Sequence, residues 1–170
     1  LLLNLVTDGA PALALGTEKG DPDIMQQKPR PPKEPIINRF MLNGVLIQTV
    51  AITFITLYAF GVGLKHDRLM AETMAFITLA SSELVRAYTA RSERYPILKI
   101  GVFNNKWMNM AVFSSFIVLL LILYVPFFNT IFNTVPLGWT EWRLILPLLM
   151  IPSIAAELAK MIMTRRSRIS

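Results

Sequence analysis

Residues 40–63 of this 170-residue chain read FMLNGVLIQTVAITFITLYAFGVG, without a charged side chain. At a rise of about 1.5 Å per residue, a helix over this stretch exceeds the roughly 30 Å hydrocarbon core of a bilayer. One glutamine and three threonines are its main polar positions, and such side chains more often bond neighbouring helices than form a site. The stretch therefore predicts a membrane-spanning helix.

The composition of the whole chain agrees with a membrane protein. Hydrophobic residues make up 54% of it and charged residues 16%, whereas soluble domains average about 45–50% and about 25%. The charges are also segregated, which indicates a multi-pass segment in a lipid bilayer. The net charge of +6 would suggest nucleic acid as the partner of a soluble domain. In a membrane protein it reflects basic cytoplasmic loops, so no nucleic-acid partner is expected.

The rest of the chain divides into helices and loops around this run. Residues 1–16 are expected to be the second half of a membrane helix, and the proline-rich residues 17–38 a loop. Residues 39–170 are expected to hold four spans. These spans are predicted at about 40–63, 69–90, 107–125 and 139–163. Pro147 and Pro152 are expected to interrupt the last span. The predicted fold is an all-α, multi-pass transmembrane helical bundle of half a span and four full spans.

The distribution of Lys and Arg predicts the orientation of the bundle. If the spans alternate, 14 basic residues lie on the side of loop 17–38, segment 86–106 and the C-terminus, and three lie on the other side. Basic loops stay in the cytoplasm. We therefore expect an integral, multi-pass membrane protein whose C-terminus is cytoplasmic.

Residues 4–16, NLVTDGAPALALG, bring polar side chains into an apolar run. Asn4, Thr7 and Asp8 have the i, i+3, i+4 spacing that puts side chains on one face of a helix. Pro11 lacks an N–H, so the carbonyl of Thr7, four residues back, loses its helical partner. Three oxygen-bearing side chains and a free carbonyl would suit a hard cation.

Carboxylates inside the expected spans are the candidate functional groups. Asp8 lies about two turns inside a span, where an ionisable residue usually faces a polar cavity or a partner; the alternative is a carboxylate that meets water at the helix end. Glu83 could be a second ligand facing Asp8 across a helix interface, or it could pair with Arg86 three residues later. The residues alone leave these two interpretations of Glu83 equal. Glu157 and Lys160 have the same spacing and are interpreted as an interfacial ion pair.

Other kinds of site are not predicted. His66 is the only histidine and is expected to be a solvated turn residue, and because cysteine is absent a zinc-type site is not expected. The sequence contains no Gly-rich phosphate loop and no Ser/His/Asp arrangement, so we expect no catalytic or cofactor-binding residue in it and no activity from the chain alone.

The motifs together resemble those of a known family. Residues 4–16, followed by 23–25 (DIM) and 30–36 (RPPKEPI), closely resemble the sixth transmembrane helix and the next cytoplasmic loop of P-type calcium-transporting ATPases. The similarity is to the sarcoplasmic-reticulum-like branch and its bacterial relatives. It continues through residues 73–75 and Glu83 in what would be the eighth helix.

This resemblance implies helices six to ten of a ten-helix pump, with ion sites between helices four, five, six and eight. Asn4, Thr7 and Asp8 match ion-binding positions for Ca2+, and Glu83 matches the eighth-helix carboxylate. Residues 17–38 match the loop that couples ion release to phosphorylation.

The resemblance also implies what lies outside the sequence. ATP and Mg2+ would bind only in the absent cytoplasmic domains, so the implied partners are calcium, the bilayer and the rest of the same pump. Arg86 stands where the animal pump carries an amide. A cation there could neutralise Glu83, or replace an ion, and leave a single-calcium stoichiometry.

Two alternatives remain at this point. Half of a secondary transporter, or a membrane anchor, could use Asp8 and Glu83 for protons. A P-type pump could instead carry manganese, sodium or protons, because an all-oxygen site does not choose firmly among these ions. An Asp-Lys-Thr-Gly phosphorylation segment ahead of Leu1 would separate the pump from the transporter.

Overall fold

The described part of the chain folds into helices. The computed structural model describes the backbone of residues 2–21, 23–26, 39–92 and 95–167, and the side chains of residues 9–21, 23–26, 41–92 and 95–162. Within these ranges the backbone forms seven α-helices and one 3-10 turn, and no strand. The α-helices are α1 (Leu2–Leu15), α2 (Arg39–Gly63), α3 (Arg68–Thr89), α4 (Ile97–Ile100), α5 (Lys106–Tyr124), α6 (Pro126–Phe132) and α7 (Trp139–Ser167). The predicted all-α fold is confirmed.

Three helices are long and apolar enough to cross a membrane, judged on the described residues. These spans are Met41–Gly63 in α2, Lys106–Tyr124 in α5 and Trp139–Ile162 in α7. The sequence predicts a fourth span over α3, which has 22 residues and is long enough at about 33 Å. However, α3 carries two acidic and two basic residues, so its composition alone does not identify it as a membrane span.

The position of α3 explains how it can be polar. It contacts α1, α2, α5 and α7, which makes it the central helix of the described bundle. Its buried residues include hydroxyl side chains such as Thr73, Thr78, Ser81 and Ser82. Because other helices cover α3, its polar groups meet protein where a peripheral helix would expose them to lipid.

An apolar core joins α3 to the helices around it. Met74 and Ile77 of α3 pack in one cluster with Leu123 of α5 and Ile145 of α7, all of them at most 1% exposed. Large apolar side chains such as Phe54 of α2 point outward and are exposed. Exposed apolar side chains on a helix of this hydropathy are typical of a surface that faces lipid.

The loops separate into two ends of the bundle. At one end, Glu18 follows α1 and bonds to Arg91, which follows α3, and Lys160 near the end of α7 donates to the Thr89 carbonyl. At the other end, the backbone N–H of Val135, between α6 and α7, donates to Thr73 near the start of α3. Helices α1 and α3 therefore run parallel, and the more basic segments of the described chain share the first end.

One detail of the helices differs from the sequence predictions. Pro147 and Pro152 lie inside α7, which continues through both of them instead of being interrupted. Each proline removes one backbone donor, and the packing of α7 against α2 and α3 retains the helix around it. Between α5 and α7 the chain forms α6, and Pro126 occupies its first turn, a position to which proline is well suited.

Candidate functional site

The polar motif of the sequence lies in the first two turns of α1. The backbone is helical from Leu2 to Leu15 and continues through Pro11. Asn4, Thr7 and Asp8 therefore lie on one face of a continuous helix, as their spacing predicts. Their side chains lie outside the described residues, so their role as ligands stays a prediction.

Glu83 lies on α3, the helix against which α1 packs. Ala10 and Ala14 of α1 belong to one apolar cluster with Ala87 of α3. Glu83 lies one helical turn before Ala87 on α3, and Thr7 and Asp8 precede Ala10 on α1. Because the two helices run parallel, Glu83 and the polar motif both precede this apolar cluster along the shared helix direction.

The side chain of Glu83 pairs locally. Its Oε2 atom accepts a hydrogen bond from Nε of Arg86 at 2.8 Å, and the Glu83 side chain is 28% exposed. The i, i+3 pairing that the sequence offered as one of two interpretations is therefore present. Arg86 supplies the countercharge within α3 itself, so Glu83 is neutralised without an ion from another helix.

A second polar cluster lies at the end of the bundle where α1 and α3 terminate. Arg91 has a fully buried side chain, and it donates from Nε and Nη2 to the two carboxylate oxygens of Glu18, both at 2.8 Å. Its Nη1 atom donates to the carbonyls of Gly101 and Val102 at 2.9 Å. Asn105 donates to Glu18 as well, at 2.8 Å. We call Glu18, Arg91 and Asn105 the buried polar hub.

The hub changes the acidity of its carboxylate. The hydrogen bonds from Arg91 hold the pKa of Glu18 below its usual value of 4.5, and the Asn105 bond acts in the same direction. Partial burial opposes both effects but does not outweigh them. Glu18 therefore stays ionised at neutral pH and matches the charge of the buried guanidinium.

Sequence reasoning missed the hub. Glu18 and Arg91 are 73 positions apart, and each stands in a segment that reads as an ordinary charged loop. No spacing rule for helices connects residues at that distance. The only local signal was Asn105, whose Oδ1 caps α5 by accepting from the Met108 N–H at 3.0 Å.

The other predicted charged pair and the histidine are found as expected. Lys160 Nζ lies 3.0 Å from Glu157 Oε1, and the other oxygen of Glu157 accepts from the backbone N–H of Ile97 at 2.7 Å. His66 is exposed in the turn between α2 and α3. Among the side chains that the structure describes, no three acidic or histidine groups come together as a metal site.

Comparison with known proteins decides the family. Residues 1–162 match the family described as "Cation transporting ATPase, C-terminus". The chain belongs to this family. The P-type pump resemblance seen in the motifs is thereby confirmed at the level of the family. Together with the three apolar helices, this membership indicates an integral membrane protein.

Curated relatives of this cation-transporting ATPase domain are named as calcium pumps. The chain is 32% identical to calcium-transporting ATPase 1 of Bacillus cereus over 95% of its length. It is 35% identical to calcium-transporting ATPase 1 of Lactococcus lactis, also over 95%. It is 29% identical to calcium-transporting ATPase type 2C member 1 of Pongo abelii over 99%. The matches cover 20%, 18% and 19% of those relatives, so the chain spans about a fifth of their length.

Proposed function

We propose that the chain is the C-terminal membrane part of an ATP-driven calcium pump, and that Asn4, Thr7 and Asp8 supply ligands to the transported Ca2+. The observation that carries the proposal is the polar face of α1, which lies within the family match. Its three oxygen-bearing side chains suit a hard cation, and the relatives named above are calcium-transporting ATPases.

Glu83 is proposed as the countercharge or additional ligand on α3, the helix against which α1 packs. Its carboxylate is already paired with Arg86 at 2.8 Å. A cation fixed beside this carboxylate reduces its attraction for a second ion, because like charges in a site of low dielectric repel strongly. The pair therefore supports one transported calcium per cycle over two.

The coupling loop, the nucleotide site and the other ion ligands complete the proposal. The loop 17–38 is proposed to lie in the cytoplasm and to couple the ion site to the phosphorylation domain. ATP and Mg2+ would bind in the cytoplasmic domains, and further ion ligands would come from other helices of the same protein. The bilayer would surround the three apolar helices.

Replacing Asp8 by Asn in the complete pump tests the ion site. The change keeps the size and two polar atoms of the side chain but removes the charge that a divalent ion needs. We expect ATP-dependent calcium uptake at micromolar calcium into sealed vesicles to be lost. Uptake is measured with radioactive calcium, and in parallel with manganese and sodium as the transported ion.

Asp67→Asn is the matched control. Asp67 is exposed in the turn before α3 and caps that helix by accepting from the Met70 N–H at 2.7 Å, a task that asparagine performs equally well. The control should keep full uptake. Unchanged calcium uptake by the Asp8→Asn variant would overturn the proposal. Uptake of only manganese or only sodium by the unaltered pump would overturn the assignment of calcium as the transported ion.

A further inference from the structure

The side chain of Arg91 is fully buried and pairs with Glu18, which is ten positions after Asp8 in the sequence. It makes hydrogen bonds from three nitrogen atoms, two to Glu18 and two to successive backbone carbonyls. The carbonyls of Gly101 and Val102 both reach Nη1 because the backbone turns sharply at Gly101. This residue has a φ of 89°, in the region that glycine adopts without strain. All three nitrogen atoms of the guanidinium therefore donate hydrogen bonds to the protein.

These contacts join the ends of three helices. Glu18 is the third residue after α1, Arg91 is the second residue after α3, and Asn105 caps the start of α5. Asn105 also donates to the carbonyl of Ala14, one of the last carbonyls of α1, at 3.3 Å. The backbone N–H and hydroxyl of Thr17 also donate to the Ala14 carbonyl, so the Asn105 bond adds a link between helices to a carbonyl that is already paired. Through Glu18 and Asn105 the hub holds the end of α1 against α3 and α5.

Only arginine has the geometry for this role. Its planar fork meets both oxygens of a carboxylate in parallel and still has donors left for other acceptors. Lysine would bring the same charge as a single point and could not reach Glu18 and both carbonyls at once. Removing hydrogen bonds from a buried ion pair leaves charge uncompensated and strongly destabilises the folded protein.

We propose that Arg91 is a positioning residue for calcium, because it fixes the end of α1 and through it the polar face of residues 4–8. The inference rests on the proposed function, in which that face binds the ion. Asp8 lies about 10 Å along the helix from Leu15, and a helix transmits a rotation or shift of its end along its length. Loosening the hub changes where the ligands point, although Arg91 itself never touches the ion.

The test is the calcium dependence of ATP hydrolysis by the complete pump carrying Arg91→Lys. The calcium concentration for half-maximal activity should rise about 2- to 30-fold, in the range found for residues that act on a site through intervening structure. The maximal rate at saturating calcium should change less. A purely structural defect would reduce the amount of active pump, and hence the maximal rate, without moving the half-saturating concentration.

Arg68→Lys is the matched control, at the first residue of α3. Arg68 pairs with Glu72 at 2.8 Å, but its side chain is 87% exposed, so the substitution should leave both parameters unchanged. An Arg91→Lys pump with the half-saturating concentration of the unaltered pump would overturn the inference. If that variant is not recovered folded, Glu18→Gln is measured and judged by the same criterion.

The proposed function is tested separately in the same assay. Unaltered pump whose ATP hydrolysis does not depend on calcium would overturn the proposed function and this inference together. Calcium-dependent hydrolysis that is lost in Asp8→Asn but keeps its half-saturating concentration in Arg91→Lys would overturn the inference alone.

Discussion

At the residue scale, the ionisation of Glu18 makes the stability of the folded protein depend on pH. Its carboxylate is only 11% exposed and faces a guanidinium that is fully buried. Because Arg91 lowers the pKa of Glu18 in the folded state, folding favours the ionised form. The stabilisation is therefore complete above the ordinary pKa of 4.5 and disappears as the pH falls through the lowered value.

Glu18→Gln should make this dependence visible. At neutral pH the variant leaves a buried guanidinium without its anion and should be less stable by about 3 kcal/mol. The difference from the unaltered protein should shrink as the pH falls below 4.5, since protonated Glu18 is as neutral as glutamine. Thermal unfolding in detergent over a pH series measures it, with the exposed Glu72→Gln as control. A difference that stays constant with pH would contradict the assignment.

At the element scale, α2 and α3 form a hairpin whose close approach depends on one glycine. A Cβ atom built on Gly63 would lie 2.5 Å from Cα of Ala71 and 2.8 Å from its backbone N. These are backbone atoms, which cannot move aside as a flexible side chain can. The turn after Gly63 is short because Asp67 already caps the next helix. The two helices are therefore antiparallel neighbours, as the short turn between them predicts.

Gly63→Ala should separate the two helices of this hairpin. The added methyl group overpacks a backbone contact, which costs about 1–3 kcal/mol. Gly61→Ala is the control two positions earlier, because no atom lies within 4 Å of its added Cβ and alanine favours a helix. The unfolding temperatures of both variants are compared in the same detergent. Equal unfolding temperatures would contradict a stabilising role for the close approach of Gly63 to Ala71.

At the scale of the whole molecule, the two ends of the bundle differ in character. The end with the hub gathers segments rich in Lys and Arg, whereas the hairpin end carries few basic residues. The tryptophans lie near helix starts at both ends, as side chains at a membrane interface do. Trp142 donates from Nε1 to the Tyr124 hydroxyl at 2.7 Å, and that hydroxyl donates to the Leu137 carbonyl at 2.8 Å.

The charge difference predicts which end faces the cytoplasm. In a cysteine-free pump, His66→Cys at the hairpin should react with a membrane-impermeant thiol reagent added outside intact cells. Leu98→Cys, at the hub end and 85% exposed, should react only after the membrane is opened. Because this chain has no cysteine of its own, the labelling within it reports on one position. The reverse pattern would contradict the predicted orientation.

The amino-acid sequence by itself determined the class of structure and the motif. Hydrophobic runs and turn residues act locally, so they were sufficient to predict the long helices and their approximate limits. Spacing within one helix was also sufficient to predict the Glu157–Lys160 pair and to offer the Glu83–Arg86 pair. The face shared by Asn4, Thr7 and Asp8 follows from the same local geometry.

Only the tertiary structure decided how these helices are held together. The bond between Glu18 and Arg91 joins residues far apart in sequence, and the approach of Gly63 to Ala71 depends on the distance between two helix backbones. The continuity of α7 through its prolines likewise depends on neighbouring helices. Local rules describe one segment at a time, whereas these features depend on the free energy of packing several segments together.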